Sequence, residues 1–306
     1  MPCLKKLWLL KIDSACMNHE WKIARRTLRF GERTLVMGVL NVTPDSFSDG
    51  GQFLLADRAV ARAEEMIAEG ADIIDVGGES TRPAGAQLVS VEDELRRVVP
   101  VIERLAKSSP VPISIDTTKA VVACAALDAG AEIVNDISGL RFDPTLADVA
   151  VRVHAGLVLM HSRGDLTTIH RLEPVADIFA EVEASLRLSI AEARRRGVEP
   201  DTIALDPGIG FSKSLSQNLE LIAKLDRFAQ AFAEFPILVG TSRKSFLAHL
   251  LDNAPAHERL HGTMATVTAA VLRGAHIVRV HDVKAAVETV RVADSIKNMS
   301  ARGATV

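Results

Sequence analysis

The chain has 306 residues, 36 of them Lys or Arg and 39 Asp or Glu, for a formal net charge of -3. This near balance excludes a general nucleic-acid or membrane-surface binder, so any bound anion must meet a local cluster of cations. Cys3, Cys16 and Cys124 are odd in number and lack C-x-x-C spacing, which excludes a disulfide framework and fits a reducing cytoplasm.

Lys5 and Lys6 before the apolar residues 7–10 resemble the opening of a secretory signal, but Lys11 and Asp13 cut the run short. No apolar stretch reaches the roughly 18 residues that a bilayer-spanning helix needs. Met17 offers an alternative start. Residues 1–25 are expected to form an irregular extension, residues 26–300 one domain, and residues 301–306 a tail.

From residue 35 onward, short apolar runs alternate with segments of helical period. Strands are predicted at residues 35–40, 72–76, 112–116, 132–135, 156–160, 202–206, 237–240 and 276–280. Between the first two, Ala59, Ala63, Met66 and Ile67 form one apolar stripe at helical spacing. Leu95, Val98, Val99, Ile102 and Leu105 repeat the device, as do Val182, Leu186 and Ile190 ahead of Arg194, Arg195, Arg196 and Gly197, a basic end followed by glycine that suits a helix C-terminus. A Gly-Ala-x-Ile phrase recurs at Gly70, Gly130 and Gly274, each time where a helix should return to a strand. The repeating unit is therefore βα, and about eight of them without a composition break predict a single-domain α/β protein, a (β/α)8 TIM barrel, with a doubly wound open sheet as the alternative. The barrel is favoured because Asn41, Gly77 to Arg82, Asp116, Asn135, His161, Asp206, Gly240 to Lys244, Arg279 and His281 all fall at or beyond strand C-termini. In a closed barrel they converge on one face; in an open sheet they would spread along an edge.

Two groups stand out among them. Asp116, Asn135 and Asp206 could read the N–H and C=O edge of a flat, nitrogen-rich heterocycle, with Lys244 as a further donor and Phe211 as a covering ring. The plain alternative for Asp116 and Asn135 is capping of the next helix. Arg279 and His281, two apart on a strand end, could clamp a phosphate, and Asn41 from the first strand would meet them where the barrel closes. The run from Asn41 through Thr43, Pro44, Asp45, Ser46 and Phe47 to Gly50 and Gly51 reads as a strand end opening into a long loop that covers the site.

These motifs, taken in order with Asp75-Val76-Gly77-Gly78-Glu79-Ser80-Thr81-Arg82-Pro83, Ser114-Ile115-Asp116-Thr117, Asn135-Asp136-Ile137-Ser138-Gly139, Asp206-Pro207-Gly208-Ile209-Gly210-Phe211, Ser242-Arg243-Lys244-Ser245 and Arg279-Val280-His281-Asp282-Val283, resemble those of the dihydropteroate synthases over about residues 30–298. The resemblance implies a transferase of folate biosynthesis that joins 6-hydroxymethyl-7,8-dihydropterin diphosphate to p-aminobenzoate, releasing pyrophosphate. It implies a pterin site at Asp116, Asn135, Ile137, Met160, Asp206, Phe211 and Lys244, with Asp116, Asp206 and Lys244 catalytic. The diphosphate would lie against Asn41, Arg82, Arg279 and His281, with Mg2+ on Asn41. p-Aminobenzoate, whose surface sulfonamides occupy in the family, would meet Thr81, Pro83, Phe211 and Ser245. A cytoplasmic homodimer built through helices near the chain's end is implied as well, with neither nucleic acid nor membrane as partner.

Two departures from the family pattern are visible: an extra residue, Ala84, between Pro83 and Gly85, and Ser162 where Met is common. A methyltetrahydrofolate:corrinoid methyltransferase shares the pterin-reading acids, but the Thr-Pro-Asp-Ser-Phe loop, the Ser80-Thr81-Arg82-Pro83 run, Arg279 and His281 argue for the synthase. A binding-only paralogue and an unrelated phosphate-binding barrel complete the alternatives.

Overall fold

The chain enters the computed structural model, which describes residues 20–43, 52–79, 89–165, 168 and 172–302, through an antiparallel hairpin of β1 (Glu20–Ile23) and β2 (Arg26–Arg29). The hairpin was not anticipated from sequence, and the expected boundary between extension and barrel at residue 25 falls inside it. Its apolar side chains explain its order: Trp21, Ile23 and Phe30 are buried and pack with Leu35, Met37, Ile73, Ile133, Val158, Ala204, Leu238 and Ile277. Trp21 Nε1 donates to Thr202 O at 2.7 Å, which satisfies the indole while its ring fills the floor of the barrel.

Eight parallel strands follow: β3 (Leu35–Asn41), β4 (Ile73–Gly77), β5 (Ile113–Asp116), β6 (Ile133–Asp136), β7 (Gly156–Met160), β8 (Ile203–Asp206), β9 (Leu238–Val239) and β10 (Ile277–Val280). Sequence neighbours pair from β3 through β8 and again from β9 to β10, β10 returns to β3, and a parallel bridge from Leu205 to Ile237 joins β8 to the segment leading into β9. This closure decides for the barrel over the open sheet.

The helices α1 (Gln52–Ala68), α2 (Val91–Leu105), α3 (Ala120–Asp128), α4 (Leu146–Val153), α5 (Ile178–Arg195), α6 (Leu215–Ala223), α7 (Leu225–Ala231), α8 (Ser245–Ala248), α9 (Leu260–Leu272) and α10 (Val283–Arg302) surround it. Their apolar faces and the outward-facing strand residues make one continuous core. The recurring Gly-Ala phrase has a common geometry: Gly70, Gly130 and Gly274 all adopt φ between 100° and 113°, and the alanine N–H that follows reaches back to Met66 O, Ala126 O and Ala270 O at 2.9 Å. This is the Schellman ending, which satisfies orphan helix carbonyls and turns the chain back toward the barrel.

Candidate active site

Every described residue expected at the site stands at the C-terminal end of the barrel. Asn41, Asp116, Met160 and Asp206 end their strands; Asn135 and Arg279 lie one residue inside theirs; Ile137, Phe211, Lys244, Ser245 and His281 follow strand ends. Thr81, Arg82, Pro83 and Ala84, together with most of the loop after Asn41, lie outside the described residues.

Arg279 joins the two groups that the sequence kept apart. Its Nε donates to Asp75 Oδ2 at 2.6 Å and its Nη2 to Asp116 Oδ2 at 2.5 Å, so the expected phosphate ligand is held by an expected pterin ligand. Asn135 Nδ2 donates to the same Asp75 oxygen at 3.0 Å. Neither Asp116 nor Asn135 caps a helix in this arrangement: Lys119 is the N-cap of α3, and the helix's first N–H, that of Ala120, goes to Asp143 Oδ2 at 2.8 Å. The capping alternative therefore fails on geometry.

Asp75 is fully buried in the middle of β4, not at a strand end, so its position in the sequence does not mark it as a site residue. A visible signal existed, since an acid between Ile74 and Val76 in a buried strand needs a partner. Its other oxygen, Oδ1, has no hydrogen-bond partner among the described residues.

The opposite wall is built by the turn after β8. Asp206 Oδ1 accepts the Gly208 N–H at 2.7 Å, which folds the chain so that Phe211 packs with Ile137 and Met160 in a small apolar cluster. Gly208 has φ 69°, and a Cβ there would lie 1.9 Å from His161 O, so the tightness of the turn demands glycine. Lys244 Nζ stands 3.7 Å over the centre of the Phe211 ring, a cation–π contact that fixes the lysine beside the acids. His281 Nδ1 lies 2.9 Å from Ser242 Oγ, which also accepts the His281 N–H at 3.1 Å.

Burial dominates the electrostatics. It pushes the Asp116 carboxyl up to about 7 against the pull of Arg279, and the Asp206 carboxyl up to about 6 against its Gly208 hydrogen bond and the nearby lysines. It drives the Lys244 ammonium down to about 7, with Arg279 adding repulsion and the two acids opposing. Arg279 is also penalised by burial, but Asp75 and Asp116 outweigh that and raise its basicity. Two acids and a lysine near neutrality, around an apolar patch, make a site able to bind a polar heterocycle and stabilise positive charge beside it.

A hollow of about 560 Å³ lined by Arg26, Phe30, Arg33 and Asp72 lies beside the hairpin, away from these groups. Its cations are already engaged, Arg33 with Asp72 and Arg26 with Glu132, so it does not compete as the reactive site.

The model of the pterin binding enzymes matches residues 37–281. The chain is 48% identical over 267 residues to the dihydropteroate synthase of Synechocystis, covering 87% of this chain and 91% of that one. The chain belongs to the dihydropteroate synthase family. Among solved structures it is similar to the Burkholderia cenocepacia dihydropteroate synthase complexed with 7,8-dihydropteroate, at TM-score 0.82 and 40% identity, covering 93% of this chain and 99% of that one. It is also similar to the Yersinia pestis dihydropteroate synthase in complex with a sulfonamide drug, at TM-score 0.84 and 38% identity, covering 92% and 99%. The likeness extends along nearly the whole length of these dihydropteroate synthases.

Proposed function

We propose that the chain performs its family's reaction: 6-hydroxymethyl-7,8-dihydropterin diphosphate condenses with p-aminobenzoate to give 7,8-dihydropteroate and pyrophosphate. The observation that carries this reading is the placement of Asp116, Asn135, Asp206 and Lys244 around the Ile137, Met160 and Phe211 cluster, with Arg279 tied to Asp116 at its edge.

In this reading the pterin lies against the apolar cluster, with Asp206 and Asn135 on its polar edge. The bond between the pterin's exocyclic methylene carbon and the diphosphate oxygen breaks with its electron pair leaving on the diphosphate. Positive charge then spreads into the ring, where the Asp116 and Asp206 carboxylates stabilise it. The aryl amine nitrogen attacks the methylene carbon and afterwards loses a proton. A guanidinium has five N–H groups, and two of those on Arg279 are engaged by Asp75 and Asp116, so others can meet the departing phosphate oxygens beside His281. Arg82 would join them, while Thr81, Pro83, Phe211 and Ser245 would shape the p-aminobenzoate site, the surface on which sulfonamides would compete.

Among the described residues no group of three or more His, Cys, Asp or Glu side chains could cage a metal. Asn41, at the end of β3, offers an amide oxygen that would hold Mg2+ together with diphosphate oxygens, since Mg2+ prefers hard oxygens and keeps several waters. Bound there, Mg2+ would neutralise charge on the leaving group.

No helix among the described residues is long and apolar enough to cross a membrane, and a cytoplasmic location is part of this reading. A homodimer is supported by α10, where Val292, Ile296 and Met299 are exposed at helical spacing.

The test is incorporation of labelled p-aminobenzoate with Mg2+ present and chelated. Product that depends on the metal is expected. Binding of the pterin diphosphate without incorporation would replace this reading by a binding-only paralogue.

A further inference from the structure

Lys213 was singled out by no motif, yet its ammonium sits at the back of the turn that carries the pterin-facing groups. Nζ donates to Gly208 O at 2.8 Å and to Phe211 O at 3.0 Å, and lies 2.8 Å from His161 Nδ1. Those three acceptors use all three N–H groups of an ammonium. His161 is completely buried at the end of β7, and its backbone N–H donates to Asp206 O at 2.9 Å. The turn is thus pinned from two sides, by the close approach of Gly208 to the His161 carbonyl and by the lysine behind it. Ser212 adds a third tie: its Oγ donates to Arg163 O at 2.9 Å and accepts the Arg163 N–H at 3.2 Å.

A charge in such a place is costly, and burial drives Lys213 down to about 7 while Asp206 pulls it back up. A turn of this size could be closed by backbone hydrogen bonds alone. The lysine adds direction: Gly208 and Phe211, the two carbonyls it holds, bracket the segment between the Asp206 carboxyl and the Phe211 ring. While Lys213 is an ammonium, Nδ1 of His161 accepts from it and the ring proton belongs on Nε2, which is buried without a hydrogen-bond partner among the described residues, 3.9 Å from Glu181 Oε1.

We infer that Lys213 is a positioning residue for pterin recognition, its ammonium fixing the turn that aims Asp206 and Phe211 at the substrate and holding His161 as the Nε2–H tautomer. The inference rests on the pterin site described above, and it adds to that site a group that need not touch the substrate.

Lys213→Met keeps the length and volume of the side chain and removes its donors. In the folded variant, the dissociation constant of 6-hydroxymethylpterin measured by calorimetry is expected to rise at least about tenfold. Pyrophosphate, which meets Arg279 and His281 on other segments, should bind within about twofold of the unmodified protein. A merely structural lysine would lower the melting temperature and leave that ratio unchanged. Nitrogen-15 NMR of the unmodified chain should show His161 protonated on Nε2 and not on Nδ1, a readout independent of whether the variant folds. Unaltered pterin affinity in folded K213M, or an Nδ1–H His161, overturns the inference. Failure of the unmodified protein to bind pterin would instead overturn the reading of the site on which it rests.

Discussion

Asp75 Oδ2 receives the Arg279 Nε at 2.6 Å across the barrel interior, from the middle of β4 to the end of β10. The carboxylate is fully buried and the guanidinium is mostly so, which makes this pair a support for Asp116 as much as for Arg279. Asp75→Asn preserves shape but removes the charge that holds the guanidinium. Steady-state kinetics should show kcat/KM for the pterin diphosphate reduced about 10- to 100-fold, equivalent to roughly 1.4–3 kcal/mol of transition-state stabilisation. Unchanged kcat/KM would show that Asp116 alone orients Arg279.

Activity should follow a bell-shaped pH profile. The acid limb belongs to Asp206 and Asp116, pushed up to about 6 and about 7, because only the carboxylates stabilise the developing cation. The alkaline limb belongs to Lys244, driven down to about 7, because the ammonium is lost as pH rises through that value. These groups interact, so the limbs report the set rather than single residues. Lys244→Met is expected to abolish the alkaline limb and to move the acid limb upward, since the ammonium no longer pulls on Asp116 and Asp206; an unaltered alkaline limb would assign it elsewhere.

Asp206 is expected to trade stability for function. Its carboxyl is raised in the folded protein, so between pH 3.8 and about 6 the folded state holds a proton that the unfolded state has lost, and stability falls as pH rises through that window. Asp206→Asn removes this cost and can still accept the Gly208 N–H through its amide oxygen. The variant should melt higher than the unmodified protein at pH 7.5, with the difference shrinking toward pH 4, and should form little dihydropteroate. Near-normal turnover would remove Asp206 from the mechanism.

Much of this was legible because strand and helix ends carry their own chemistry. The strand ends Asn41, Asp116 and Asp206 were readable as breaks in apolar runs, and the helix returns at Gly70, Gly130 and Gly274 as a repeated phrase. The hairpin was not, since Glu20, Trp21, Lys22 and Ile23 alternate over only four residues and acquire meaning only when Trp21 reaches the barrel floor. Arg279 illustrates the other limit. Its place at the last strand's end was clear, but that it would turn toward Asp75 and Asp116 depends on contacts 204 and 163 residues away.

Ser162, one of the two departures from the family pattern, has a definite use here. Its Oγ donates to Ile137 O at 2.7 Å and accepts from Arg141 Nη2 at 2.9 Å, binding the loop after β7 to the residue that lines the apolar cluster. Ser162→Ala leaves a buried carbonyl and a guanidinium N–H without that partner. Denaturant unfolding should show a loss of about 1–3 kcal/mol, the usual cost of unsatisfied buried polar groups. The KM for the pterin diphosphate should rise modestly through the freed Ile137 backbone. Unchanged stability would mean that water replaces the hydroxyl fully.

The exposed stripe on α10 bears on assembly. Val292, Ile296 and Met299 are 61%, 50% and 67% exposed, and Leu272, at the end of α9, is 42% exposed on the helix that packs against α10. A monomer gains nothing by presenting this much apolar surface, whereas a two-fold axis through it would bury the same residues from both copies. Val292→Glu combined with Met299→Glu places like charges on both sides of such an interface without touching the barrel mouth. Sedimentation is expected to give a dimer for the unmodified chain and, for the double variant, a monomer that still binds pterin. A double variant that sediments as the unmodified chain does would move the interface away from α10.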